Sequence, residues 1–119
     1  MATFSKQIFS GSTDGLPISV TQTATAGTLI HTCSSSTSVI DEIWLYATNT
    51  SASDVVLTVE WGNATTSNNI KYTVKAANGL YLIASGLVIK GNASPYTIRA
   101  FAATTAVISI TGYVNRITA

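Results

Sequence analysis

Apolar side chains recur at every second position along most of this 119-residue sequence, and no segment sustains the 3.6-residue period of a helix. The pattern is clearest in residues 40–62, IDEIWLYATNTSASDVVLTVEWG. Alternate apolar positions form one face before the central NTSASD and another after it: Ile43, Leu45 and Ala47, then Val55, Leu57, Val59 and Trp61. Because Asn, Ser and Asp favour turns, the segment predicts a β-hairpin in which Thr58 and Glu60 point away from the core.

Eight or nine segments of this kind follow one another at spacings of about 8–12 residues, which is typical of sandwiches and barrels. Asn78-Gly79 also predicts a tight hairpin turn, because a type I′ turn needs positive φ at both central positions. The sequence therefore predicts an all-β fold, namely a two-sheet antiparallel β-sandwich of jelly-roll type, with an Ig-like sandwich as the alternative.

The first 27 residues differ in composition from the rest, because they are rich in Gly, Ser and Thr and contain few large apolar residues. We divide the chain into an extended N-terminal arm with a short strand, 1–27, and a β-sandwich domain, 28–119. The arm is interpreted either as a frayed terminus or as a segment that adds a strand to a neighbouring subunit. In the second case it buries Phe4, Ile8 and Phe9 against that neighbour.

Charged residues make up only 9% of the chain, whereas about 25% is usual for a soluble protein. Hydroxyl groups supply the polarity instead, from 14 Ser and 19 Thr. A surface with so little charge repulsion favours association, so the composition predicts a protein that works inside an assembly. The net charge of +1 comes without a cluster of Lys and Arg, which argues against a nucleic-acid partner.

Neither a membrane partner nor secretion is expected from the sequence. No stretch approaches the ~20 apolar residues of a spanning helix, and the N-terminal MATFSKQIFSGSTDG lacks the apolar region of a signal peptide. The single Cys33 cannot form a disulfide within the chain. We therefore expect a protein that is made and folded in a cytosol.

Residues that could carry chemistry are few and scattered. His31 is the single histidine, and with Cys33 it offers two of the three or four ligands that zinc needs. The five acids are Asp14, Asp41, Glu42, Asp54 and Glu60. None has an evident partner for the paired-carboxylate chemistry of glycosidases, so solvated or ion-paired roles are expected. The sequence predicts no enzyme activity, no catalytic or metal site, no cofactor and a structural role for His31.

Trp44 and Tyr46 lie on the opposite face of their strand from Ile43 and Leu45, so this strand has two apolar faces. We interpret it as a central strand and expect both rings to be covered by the opposite sheet or by a partner subunit. The alternative is a sugar-stacking platform built from surface aromatic residues: Trp44, Tyr46, Trp61, Tyr81, Tyr96, Phe101 and Tyr113.

Three stretches, IDEIWLYATNTSASDVVLTVEWG, GLYLIASGLVIKGN and ITGYVNRI, resemble a class of small Ser/Thr-rich β-domain proteins in the virions of tailed bacteriophages. The resemblance extends over roughly residues 28–117 and includes the low charge and the near absence of cysteine. Proteins of this class are capsid decoration or cement proteins, or minor head and tail components.

The resemblance implies a non-enzymatic protein on the capsid exterior, which binds between major capsid subunits as a dimer or trimer. A protein that binds only the assembled lattice stabilises that lattice by mass action. The residues expected to contact the partner are Phe4, Ile8, Phe9, Trp44 and Tyr46. The alternatives are a minor head-fibre, neck or tail component of the virion, and a carbohydrate-binding module.

Overall fold

Nine β-strands and one 3₁₀ turn make up the regular structure of residues 2–77 and 79–119, which are the residues that the computed structural model describes. In chain order the elements are β1 (Thr3–Gln7), β2 (Ile18–Ser19), β3 (Thr28–Thr32), β4 (Val39–Asn49), β5 (Val55–Gly62), the 3₁₀ turn (Thr66–Asn68), β6 (Asn69–Val74), β7 (Tyr81–Lys90), β8 (Thr97–Ala102) and β9 (Ile108–Thr118). Within these residues, no helix has the length and apolar character needed to cross a bilayer.

The strands form two antiparallel sheets. The five-stranded sheet has the order β1-β9-β4-β7, with β2 also paired to β9, and the four-stranded sheet has the order β3-β8-β5-β6. Most strands that are consecutive in the chain lie in opposite sheets. Two Greek keys whose strands alternate between two sheets in this manner form a jelly roll. The predicted two-sheet antiparallel sandwich of jelly-roll type is therefore confirmed.

The inner faces of the two sheets supply the core, and the alternation of apolar residues locates these faces correctly. The buried positions on β4 and β9 include Ile43, Leu45, Ala47, Ile108, Ile110 and Val114. Facing them on β5 and β8 are Val55, Leu57, Val59, Ile98 and Ala100. All of these side chains belong to one continuous cluster. Their removal from water is the main favourable contribution to folding.

Residues 40–62 do not form the predicted hairpin, because β4 belongs to the five-stranded sheet and β5 to the four-stranded sheet. The two strands face each other across the core, and the connection between them is an arch. The buried Asn49 side chain holds this arch by donating hydrogen bonds to the carbonyl oxygens of Ser53 (2.8 Å) and Val74 (2.9 Å). The hairpin predicted around Asn78-Gly79 is also wrong, because β6 and β7 lie in different sheets; Asn78 itself lies outside the described residues.

Thr58 and Glu60 lie on the outer face of the four-stranded sheet, but they are buried instead of exposed. The loop between β2 and β3 covers Glu60. The Gly27 amide donates a hydrogen bond to Glu60 Oε1 at 2.6 Å, and the Thr25 hydroxyl donates to Glu60 Oε2. Side-chain alternation thus predicts the correct face for this strand, but it carries no information about a loop that covers that face.

The N-terminal segment is part of the sandwich. β1 pairs with β9 of the same chain over its whole length, so it forms one edge of the five-stranded sheet. Phe9, Ile18 and Val20 belong to the same core as the later strands. The boundary predicted at residue 27 therefore does not separate an arm from a domain in the isolated chain.

Candidate functional site

The central strand β4 carries the two aromatic residues that the sequence singles out. As predicted, this strand lies inside its sheet, between β9 and β7. Its odd-numbered residues enter the core, so Trp44 and Tyr46 project from the outer face of the five-stranded sheet, where both are partly buried. The prediction that the opposite sheet covers these rings is wrong, because that sheet packs against the inner face. Coverage by a partner subunit stays a prediction.

Trp44 is the centre of a row of residues that crosses four strands. Trp44 and Tyr113 are directly opposite each other on β4 and β9, with ring centroids 6.0 Å apart and planes inclined by 11°. On one side the indole covers Gly86 of β7, where an added Cβ would lie 3.1 Å from Cζ2. On the other side Lys6 of β1 places Nζ 4.7 Å from the centroid of the Tyr113 ring, within cation–π distance. Contacts on both sides therefore hold the two rings in place.

Glu42 orients the indole of Trp44. Its Oε1 accepts hydrogen bonds from Trp44 Nε1 (2.7 Å) and from Asn115 Nδ2 (3.0 Å). The hydrogen bond from Trp44, followed by that from Asn115, lowers the pKa of Glu42, so the carboxylate is ionised at neutral pH. The aromatic pair is thus flanked by a fixed negative charge at Glu42 and a positive charge at Lys6.

Exposed apolar side chains surround this aromatic pair. We name the following residues of the five-stranded sheet the outer apolar face: Phe4, Ile40, Trp44, Tyr46, Leu82, Val88 and Tyr113. Phe4 is 71% exposed and Val88 is 57% exposed. Single exposed apolar residues are common on folded proteins, whereas large apolar patches are typical of interaction surfaces.

The five residues predicted to contact a partner occupy different environments. Phe4, Trp44 and Tyr46 lie on the outer apolar face, and Ile8, just after β1, is about half exposed. Phe9 is 1% exposed and packs in the core of its own chain, so its side chain offers no surface to a partner. This position corrects the prediction for Phe9, whereas partner contacts of the other four residues stay predictions.

A second group of polar residues lies inside the sandwich and is centred on Asp41. Arg116, directly opposite on β9, contacts both carboxylate oxygens, with Nε 2.7 Å from Oδ1 and Nη2 2.8 Å from Oδ2. His31 Nε2 lies 2.9 Å from Oδ2. Burial raises the pKa of Asp41, but the hydrogen bonds from Arg116 and His31 outweigh it and lower the pKa to about 2. Because His31 belongs to β3, this network links the two sheets.

The hydrogen bonds of His31 fix its tautomer. Nδ1 accepts the backbone N–H of Ser10 at 3.1 Å, so the ring proton lies on Nε2, which donates to Asp41. Together with Cys33, these residues form a set of three ligand-type side chains whose ligand atoms lie within 4.8 Å of one another. Sequence spacing places only His31 and Cys33 near each other. Asp41 joins them because the fold brings β4 next to β3.

This donor set fits a structural role better than a metal site. Both oxygens of Asp41 already bind Arg116, whose positive charge would oppose a cation. Burial, followed by the negative charge of Asp41, raises the pKa of the Cys33 thiol to about 12. The thiol therefore stays protonated at neutral pH, and a metal ion would have to displace this proton in order to bind the sulfur. The geometry agrees with the structural role predicted for His31.

The contacts that Trp44 makes with Tyr113 and Glu42 were not predicted from the sequence. Tyr113 and Asn115 alternate with the core residue Val114, so their parity predicts that they lie on the outer face of β9. Only the register of β4 and β9 places them opposite Trp44 and Glu42. That register joins residues far apart in the sequence, and no local pattern encodes it.

Comparison with known proteins assigns no family to this fold and its surfaces. The chain matches no protein-family model, no curated protein and no solved structure.

Proposed function

We propose that this protein is a non-enzymatic structural component of a bacteriophage virion, which decorates the capsid exterior and stabilises it by binding between major capsid subunits. The observation that carries the proposal is the outer apolar face, an exposed sheet surface with fixed aromatic rings at its centre. In this proposal the capsid protein covers that face.

The composition of the outer apolar face suits a protein partner. Aromatic residues are enriched at the buried centres of protein interfaces, whereas most charged residues are depleted there. Trp44 and Tyr113 are already held by neighbouring side chains, so binding costs little of their conformational freedom. With only 9% charged residues in the chain, the surrounding surface offers little charge repulsion to a closely packed neighbour.

The bacteriophage setting rests on the resemblance of residues 28–117 to small virion proteins. The jelly roll itself occurs in viral capsid domains and in lectins, and a fold alone does not assign a function. A minor head-fibre, neck or tail component would use the same fold. Copy number distinguishes these proposals, because a decoration protein covers the whole shell whereas a neck or tail component occupies one vertex.

The direct test is the occupancy of assembled phage heads that lack the protein. Wild type and two variants are each mixed with such heads, and the bound density is quantified by cryo-electron microscopy. Val88→Lys places a charge on the outer apolar face. Val56→Lys is the matched control, because Val56 is a strand valine of comparable exposure, 42% against 57%, on the four-stranded sheet. Light scattering gives the oligomeric state of each protein.

We expect regular wild-type density over the whole shell, from a dimer or trimer. Val88→Lys should bind at least about tenfold more weakly, because its charged side chain, opposite Glu42 on β4, must lose its water when the interface closes over it, and Val56→Lys should bind like wild type. Equal binding by wild type and Val88→Lys would show that the outer apolar face is not the docking surface. Wild-type density at one vertex alone would favour a neck or tail component.

A further inference from the structure

An open groove of about 270 Å³ lies between the two sheets at one end of the sandwich. Its lining residues are Trp61, Gly62, Asn63, Asn68, Ile89 and Tyr96. Trp61 is near the end of β5 and Tyr96 immediately precedes β8, so the four-stranded sheet positions both residues. Ile89 of β7 adds an apolar side chain from the other sheet. None of the lining residues carries a charge, and none belongs to the outer apolar face.

Two aromatic residues give the groove apolar, polarisable walls. Tyr96 is 41% exposed, and its Cδ1 lies 3.9 Å from the point that a Cβ on Gly62 would occupy. Trp61 packs against the core with part of its ring and leaves the rest accessible. The face of an aromatic ring carries partial negative charge, which attracts the weakly positive C–H groups of a sugar ring.

Two amide side chains supply hydrogen-bonding groups beside these rings. Asn63 Oδ1 accepts hydrogen bonds from the Thr65 backbone N–H and from Asn68 Nδ2, each at 3.0 Å. These bonds fix the orientation of both amides. They leave Asn63 Nδ2 as a donor and Asn68 Oδ1 as an acceptor, each without a protein partner among residues 2–77 and 79–119. Neighbouring hydroxyl groups of a sugar both donate and accept, so they can satisfy such a pair.

We infer that this groove binds a neutral saccharide unit, such as the terminal hexose of a glycan. The uncharged lining disfavours anionic sugars and nucleotides, because their charges would be left unpaired. The volume is below the roughly 300–1,000 Å³ that is typical of sites for larger ligands, so it suits a single sugar ring. The inference is independent of capsid decoration, since the groove and the outer apolar face share no residue.

The test uses the full ¹⁵N-labelled chain, titrated separately with the methyl glycosides of glucose, galactose, mannose and N-acetylglucosamine. The chain has two tryptophans, so the indole N–H signal of Trp61 reports on the groove and that of Trp44 serves as an internal control. Tyr96→Ala removes one wall of the groove. Tyr72→Ala is the matched control, because Tyr72 has a similar exposure of 39% and lies on β6, outside the lining.

We expect at least one glycoside to shift the Trp61 indole signal saturably at millimolar concentration, with the Trp44 signal unchanged. Tyr96→Ala should weaken binding about tenfold, and Tyr72→Ala should leave it unchanged. Asn68→Ala, at an exposed position, should also weaken binding and provides a second variant in case Tyr96→Ala fails to fold. The inference is overturned if no glycoside in the panel gives a saturable Trp61 shift, or if Tyr72→Ala weakens binding as much as the groove variants do.

Discussion

At the scale of single residues, the buried Asp41 depends on two partners for its charge. Arg116 contacts both of its oxygens, and His31 donates a hydrogen bond to one of them. Asp41→Asn removes the negative charge and leaves Arg116 without its ion-pair partner at a position where only about a quarter of its side chain is exposed. We expect this variant to lower the free energy of unfolding at neutral pH by about 2 to 3 kcal/mol, measured by urea denaturation. This loss should depend on pH.

The pH dependence follows from the pKa of Asp41, which is lowered from its ordinary 3.8 to about 2 in the folded chain. The carboxylate form is therefore favoured by folding, and its stabilisation is fully present above about pH 4 and lost as the pH falls toward 2. The gap between wild type and Asp41→Asn should shrink over this range. Asp14→Asn is the control, because Asp14 is an exposed acid that has no ion pair among residues 2–77 and 79–119. A gap that stays constant down to pH 2 would contradict this assignment.

The sequence indicates which residues face the core but not which of them meet. Alternation correctly places Ile43 and Val114 inside, and it assigns Asp41 to the same inward series as Ile43. The contact between Asp41 and Arg116 joins positions 75 residues apart, and the register of β4 and β9 determines it. Without knowledge of that register, the sequence shows Asp41 only as one of five acids that have no evident partner.

At the scale of elements, the pairing of β4 with β9 requires glycine at position 112. Its φ is 148°, and an added Cβ would lie 2.0 Å from the Trp44 carbonyl oxygen and 2.9 Å from the Phe9 ring. We expect Gly112→Ala to lower the free energy of unfolding by about 3 kcal/mol or more, because the β4 backbone and the buried Phe9 must both move. Urea denaturation monitored by circular dichroism measures this loss.

Gly79→Ala is the matched control for Gly112→Ala. Gly79 also has a positive φ of 83°, but no atom of the described residues, apart from its chain neighbours, lies within 4 Å of the added Cβ. Its substitution should therefore cost only the roughly 1 kcal/mol that an L-residue loses in this conformation. Comparable losses in the two variants would mean that backbone conformation, and not the close approach of β4 and Phe9, limits substitution at Gly112.

Strand faces were predictable from the sequence, whereas the partners of the strands were not. The apolar face of a strand must be covered by a layer packed across the core, whether the next strand along the chain pairs beside it or lies in the opposite sheet. Residues 40–62 therefore carry the same alternating pattern whether they form a hairpin or an arch. The buried Asn49 that holds the arch occurs in a segment whose polar composition is equally typical of a tight turn.

At the scale of the whole molecule, the number and spacing of strand-like segments predicted a two-sheet sandwich, with the jelly roll favoured over an Ig-like arrangement. The attachment of the N-terminal segment was not predictable in the same way, because few of its residues are large and apolar. One of those few, Phe9, fills a central position of the core, and the Ser10 backbone next to it holds His31. A segment with the composition of a flexible arm is thereby made part of the domain.

Two truncations test whether the N-terminal segment belongs to the folded domain. Removing residues 2–7 deletes β1, which is almost fully exposed, and should leave a folded but less stable sandwich because Phe9 stays in the core. Removing residues 2–16 also deletes Phe9, and losing one buried Phe side chain costs about 3–5 kcal/mol of the roughly 5–15 kcal/mol that stabilises a typical domain. We expect cooperative thermal unfolding, followed by circular dichroism, to be retained in the shorter truncation and lost in the longer one. Cooperative unfolding of the longer truncation at the wild-type temperature would instead mean that the segment is a dispensable arm.

Because the shorter truncation removes Phe4 and Lys6 but keeps Trp44, Tyr46 and Val88, its occupancy on phage heads also measures how much β1 contributes to docking.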